Sequence, residues 1–178
     1  MSQQLKDGSS DLGHHLRRMV RRDMADVLTI EQNCFEWPWT EDEFVRALRQ
    51  MNCIGEVAED LHTGRVSAFM VYELHKAHIH LVNFAVRKTL WRQGVGRTML
   101  AELLRKLSAV RRCRITLEVR ETNVAAQKFW RAMGFRAQAI LRKYYPQEET
   151  EEDAYVFSYH LCAAATKQPK EVACDRAK

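Results

Sequence analysis

Arg92-Gln93-Gly94-Val95-Gly96-Arg97 is the segment whose residue types and spacing most directly suggest chemistry. It leaves a run with strand character and enters one with helical spacing. Its glycines therefore let the backbone approach a ligand, and the first helical amides face an anion. Arg92 and Arg97 set positive side chains beside those amides, which points to a phosphate. No GKT or GKS follows, so this is not a Walker loop, and the GxGxxG spacing of a dinucleotide fingerprint is absent. Taken bare, a strand-to-helix turn with two glycines serves packing as readily as binding.

Other candidates are single residues. Glu118 stands in the run Ile115 to Val119, where Ile115, Leu117 and Val119 form the apolar set and Glu118 faces away with Thr116 and Arg120. A carboxylate there is either a solvated strand residue or a proton acceptor. Asn123 precedes a helical run and is suited to cap it. Two connections are rich in aromatics: Cys34, Phe35, Trp37, Pro38 and Trp39, and later Tyr144, Tyr145 and Pro146. His75, His78 and His80 lie close together without a fourth ligand in evident reach; they are read as strand and turn residues, and no metal is expected.

The elements that must position these groups follow from periodicity. Leu16 to Val20 reads as a short strand, and Asp23 as the cap of a helix carrying Met24, Val27, Leu28 and Ile30. Thr40 and Glu43 form a capping box opening a second helix through Phe44, Val45 and Leu48. Val57 to Glu59, Val66 to Leu74 and His78 to Val86 read as strands, the first two separated by the turn-like DLHTG. Met99, Leu100, Leu103, Leu104 and Leu107 repeat at helical spacing, and a last helix with Ala125, Phe129, Trp130 and Met133 ends at Gly134. Arg136 to Leu141 and Ala154 to Leu161 form a final strand pair joined by the acidic loop QEETEED. This order predicts a mixed α/β (α+β) sheet.

The chain has 178 residues, 46% hydrophobic and 29% charged, which suits one globular domain, taken as 16–162 with flexible tails at 1–15 and 163–178. No stretch is long and apolar enough to span a membrane and the start lacks a secretory signal, so a cytoplasmic protein without membrane contact is expected. Five widely spaced cysteines without a CxxC pair predict reduced thiols. A net charge of +5 suits an anionic ligand without naming one.

The runs NFAVRKTLWRQGVGRTMLAELL, LEVRETNVAAQKFWRAMGF, LRKYYPQEETEEDAYVF and IEQNCFEWPWTEDEF together resemble the GNAT family of acetyl-CoA-dependent N-acetyltransferases, over about residues 16–161. Within that family they resemble the bacterial ribosomal-protein-alanine branch. The resemblance implies a mostly antiparallel central sheet of six to seven strands, flanked by helices and splayed where acetyl-CoA binds. It puts the pantetheine arm along Phe84, Ala85 and Val86, with one backbone N–H there as oxyanion donor. The pyrophosphate falls on the amides of Arg92, Gln93, Gly94, Val95, Gly96 and Arg97, and Asn123 contacts the cofactor arm. Glu118 becomes the general base, acting through water on the incoming amine. An α-amino group with pKa near 8 is already about a tenth neutral at pH 7, whereas a lysine near 10.4 is neutral less than about once in a thousand. A weak, water-relayed base therefore suits an N-terminal amine.

Three positions depart from the family pattern. Leu90 replaces a common tyrosine, and Trp91 stands where glutamine or arginine is usual. Trp130, beside the cofactor, occupies the place of the tyrosine that protonates the departing thiolate. Indole N–H has no usable acidity, so slower turnover is expected, with Tyr144 or Tyr145 as substitute donors. Phe35, Pro38, Trp39, Tyr144 and Tyr145 would wall the substrate slot. The implied acceptor is a protein or peptide N-terminus, the N-terminal alanine of a small-subunit ribosomal protein in particular, with no nucleic acid required and a monomer expected. The alternatives are transfer to a lysine or small-molecule amine, a non-catalytic coenzyme-binding protein, and a ribosome- or RNA-binding module using Arg17 to Arg22 and Arg105 to Arg114.

Overall fold

The computed structural model describes residues 13–145 and 151–161. Among these, seven strands form one sheet: β1 (His14–Arg18), β2 (Cys53–Asp60), β3 (Val66–Leu74), β4 (His78–Val86), β5 (Arg114–Arg120), β6 (Arg136–Tyr145) and β7 (Glu152–His160). The helices are α1 (Met24–Cys34), α2 (Glu41–Leu48), α3 (Val95–Arg105) and α4 (Val124–Ala132). The spatial order is β1-β2-β3-β4-β5-β7-β6, antiparallel throughout except for the parallel pair β4·β5. No helix among the described residues is long and apolar enough to cross a membrane.

The helices cover both faces. On one, Met99, Leu100 and Leu103 of α3 and Trp130 of α4 pack on Met70, Tyr72, Ile79, Leu81, Leu117 and Phe157. On the other, Met24, Val27 and Ile30 of α1 and Phe44 of α2 pack on Val57, Phe69, Val71 and Ala85. Two apolar faces explain why β3 is buried over seven consecutive residues instead of alternating.

Several boundaries differ from expectation. β1 begins at His14, so His14 and His15 are sheet residues and not tail. Asp23 does not cap α1 with its side chain; its carboxylate instead accepts two bonds from Arg17 (2.7 and 2.8 Å) and one from Val20 N (2.8 Å). Arg17 also reaches Glu59 at 2.7 Å, which commits one member of the basic cluster to internal pairing. Thr40 and Glu43 do form the capping box. β6 runs four residues beyond Leu141, so Tyr144 and Tyr145 are strand residues. Cys34, Cys53 and Cys113 are free thiols, while Cys162, Cys174 and Pro146 lie outside the described residues.

The feature that shapes a site is where β4 and β5 part. They pair only at His78↔Arg114, Ile79↔Ile115 and His80↔Thr116. Beyond that point β4 continues along β3 to Val86, and β5 continues along β7 to Arg120. Among the described residues, the far edge of β4 is thus left without a strand partner from 81 to 86. A bulge coincides with the split: Val71 faces Asn83 and Tyr72 faces Leu81, leaving Val82 as the extra residue. It transfers the alternation, so that Ile79 and Leu81 share their face with Phe84 and Val86 rather than with Asn83 and Ala85.

Candidate active site

The open edge of β4 runs into the glycine turn. Arg92 (φ +63°) and Gly94 (φ +91°) adopt left-handed backbone, and Gly94 caps α3. The first amides of α3, at Val95, Gly96 and Arg97, have no acceptor within the helix and are free to bind an anion. Arg92, Gln93 and Arg97 are exposed around them. A side chain at Gly96 would press on Val86 at 3.3 Å and on the Phe84 and Phe129 rings at 3.5 Å, so glycine there seats α3 against β4. Trp91 is half exposed, and its indole N–H donates to the Val86 carbonyl at 2.7 Å, an oxygen that also accepts from Cys34 Sγ at 3.3 Å.

Asn123 caps α4 by accepting from Ala126 N at 3.0 Å. Trp130 is 5% exposed, within 5.4 Å of the rings of Phe84, Phe129 and Phe135. It is a core residue directly behind β4.

Glu118, on the opposite face of β5 from Leu117 and Val119, meets a partner that the sequence did not disclose. His80 Nε2 donates to Glu118 Oε2 at 2.7 Å. A carboxylate only accepts, so that nitrogen carries the proton. The bond raises the imidazole's pKa, against the opposing pull of burial. His80 is placed there because β4 and β5 are still paired at that level, one register position before they part. The histidines also have a carboxylate that the sequence reading missed: Glu73, paired with His80 across β3·β4, lies 2.9 Å from His75 Nε2.

Arg120, two residues beyond Glu118 on the same face, gathers both aromatic connections. Its guanidinium is 4.0 Å from the Tyr145 ring centroid and 4.7 Å from that of Trp37, and it pairs with Glu152 at 2.7 Å. Tyr144 and Tyr145 meet edge to face at 4.9 Å. Both are near enough to Glu118 for its charge to add to burial in raising their pKa values, Tyr145 to about 12. A phenol held there is a poor acid toward a thiolate whose conjugate acid lies near 8.5, and serves better as a hydrogen-bond donor and wall. In the other connection Pro38 is exposed, whereas Phe35 and Trp39 turn inward onto the α1/α2 cluster, Trp39 at 5.2 Å from Phe44. Trp37 is therefore the aromatic that reaches toward Arg120.

Glu31 anchors this connection. Buried at 1% exposure, it accepts from Trp39 N (2.9 Å) and from Asn83 Nδ2 (3.1 and 3.2 Å), and burial pushes its pKa up to about 7. A glutamate among Val27 and Ile30 on an otherwise apolar helix face was the available signal for it.

The site is thus a split between two strands, with a helix start at one end and a carboxylate flanked by aromatics at the other. The sequence profile described as the Acetyltransferase (GNAT) family matches residues 24–135. The chain belongs to the GNAT family of acetyltransferases. It is similar to ribosomal protein bS18-alanine N-acetyltransferase of Escherichia coli strain K12, 29% identical over 136 residues, 76% of this chain and 90% of that protein. The protein of that name from Salmonella typhimurium is 31% identical over 138 residues, with the same coverage. The crystal structure of the ribosomal-protein-S18-alanine N-acetyltransferase from Escherichia coli superposes with a TM-score of 0.74 at 26% identity, covering 88% of this chain and 99% of that one. Arabidopsis thaliana NAA60, solved with acetyl-CoA, shares the fold at a TM-score of 0.71 and 16% identity, covering 83% and 99%. As a GNAT enzyme the protein is an N-acetyltransferase. Acetyl-CoA, the family's acetyl donor, fits what the chain offers: an unpaired strand edge for an amide-bearing arm and a glycine-capped helix start for phosphates.

Proposed function

We propose that this GNAT enzyme acetylates the α-amino group of a protein N-terminus, and that its acceptor is the N-terminal alanine of a small-subunit ribosomal protein. The observation that carries the first part is Glu118, fixed by His80 and two residues before Arg120, whose guanidinium Trp37 and Tyr145 flank. A carboxylate acting through water suits an α-amine, about a tenth neutral at pH 7, better than a lysine amine, neutral less than about once in a thousand. The choice of alanine and of a ribosomal protein rests on the relatives of that name.

Acetyl-CoA supplies an acetyl group activated as a thioester. Along β4, residues 84–86 hold the donor arm and direct an N–H at the oxygen that gains charge as the amine adds. The amides of 92–97 hold its phosphates, and Asn123 borders the arm. Glu118 accepts, through a water molecule, the proton that the amine nitrogen loses as the new C–N bond forms. His80 holds Glu118 in place through their hydrogen bond. Solvent provides the proton for the sulfur when the C–S bond breaks, because Trp130 has none to give and Tyr145 holds its own.

Glu118→Gln tests the assignment. Turnover of an Ala-starting peptide should fall by about 10² to 10³, the usual range for losing a proton acceptor. A rate within about threefold of the parent would remove Glu118 from the role.

A further inference from the structure

Glu73, His75 and His80 form a second constellation beside the acetyl-transfer groups. Glu73 and His80 are cross-strand partners on β3 and β4, and His75 sits in the turn between those strands. One donor atom from each lies within 4.8 Å of the other two, with Glu73 Oε2 at 2.9 Å from His75 Nε2 and 3.9 Å from His80 Nδ1. Donors around a tetrahedral Zn²⁺ with bonds of about 2.0–2.1 Å sit about 3.4 Å apart, so small side-chain shifts suffice.

The surroundings suit a metal as well. The His78 ring stacks on His75 at 4.6 Å and 9°, and Arg112 Nε donates to the His75 carbonyl at 2.7 Å; together they hold the turn and the ring plane. His80 offers Nδ1 inward while its Nε2–H is bonded to Glu118, which is the carboxylate–histidine–metal arrangement that fixes a ligand's tautomer. Side chains 22–38% exposed leave a path from solvent and room for water as a fourth ligand.

We propose that Glu73, His75 and His80 bind a Zn²⁺-type divalent ion and that its binding slows acetyl transfer by locking the His80–Glu118 pair. The site itself stands on its three ligands; the inhibition rests on Glu118 being the proton acceptor. With a cation on Nδ1, the imidazole can no longer turn from Glu118, and the Oε2 that accepts its N–H stays engaged instead of turning to the water.

The test uses chelator-treated, reduced full-length protein beside His75→Ala. Co²⁺ is titrated in and displaced by Zn²⁺ while visible absorption is followed, and acetylation of an Ala-starting peptide is measured with and without Zn²⁺. The expected result is one equivalent of tetrahedral Co²⁺ per chain without a thiolate charge-transfer band, bound at least about tenfold more weakly by His75→Ala. Transfer should slow at least about tenfold in the Zn²⁺-loaded parent, while His75→Ala keeps its metal-free rate and resists Zn²⁺. No Co²⁺ signal up to about 100 µM, a thiolate band, or equal binding by His75→Ala would overturn the site. Normal transfer by the loaded parent would overturn the inhibition. If neither protein acetylates the peptide, the acceptor reading fails, and the Co²⁺ titration still decides the site.

Discussion

Trp130 lies behind Phe84, in contact with Phe129 and Phe135, so its indole contributes packing and not a proton. Trp130→Phe should therefore leave kcat within about threefold while costing about 1–3 kcal/mol in denaturant unfolding. A tenfold loss of kcat at unchanged stability would return a chemical role to the indole. Glu31 predicts a pH effect. Its folded pKa of about 7 lies above the ordinary 4.5, so the neutral form is favoured in the fold. That stabilisation is fully present below about 4.5 and is lost as pH rises through 7, by up to roughly 3 kcal/mol. Glu31→Gln should lack this dependence, so parent and variant unfolding free energies diverge between pH 5 and 8; parallel curves would contradict the assignment. Alternation in the sequence set Glu118 apart from the apolar residues of β5. It could not reveal His80 as its partner, because that contact depends on which strands are neighbours.

At the scale of elements, two irregularities build the site. The bulge at Val82 turns β4 where it leaves β5, and a left-handed Lys143 (φ +54°) bends β6 so that Tyr144 and Tyr145 return toward β5. The boundaries of β3 and β4 were legible because long apolar runs mark buried strands. The end of β6 was not, since Arg142 and Lys143 break its pattern and are held by Asp153 across the hairpin. The α1–α2 connection was readable as aromatic-rich, but not which ring faces the slot. Arg120 joins these pieces, and its cation–π contacts predict the effect of losing it. Arg120→Ala should raise KM for the acceptor peptide by about tenfold, as loss of about 1–2 kcal/mol implies, with kcat within about threefold. Arg120→Lys should recover little, because an ammonium lacks the flat face. A fall in kcat at constant KM would assign Arg120 to the chemistry instead.

For the whole molecule, the order β1-β2-β3-β4-β5-β7-β6 places one parallel pair inside an antiparallel sheet, and that pair separates beyond His80 and Thr116. The split has a glycine-capped helix start at one end and Glu118, near Arg120 and its flanking rings, at the other. The count and sequence of elements were legible from periodicity; the opening between β4 and β5 came only through family resemblance, because strand separation leaves no mark on hydrophobic spacing. The proposed function requires that a free chain end reach Glu118. Mass spectrometry of two peptides incubated with acetyl-CoA tests it most directly: an Ala-starting peptide, and its N-blocked twin with a lysine. One acetyl group added to the α-amine of the free-ended peptide, and none to the blocked one, is the predicted result. Acetylation of the lysine in the blocked peptide, at a rate equal to or above that of the free end, would contradict it.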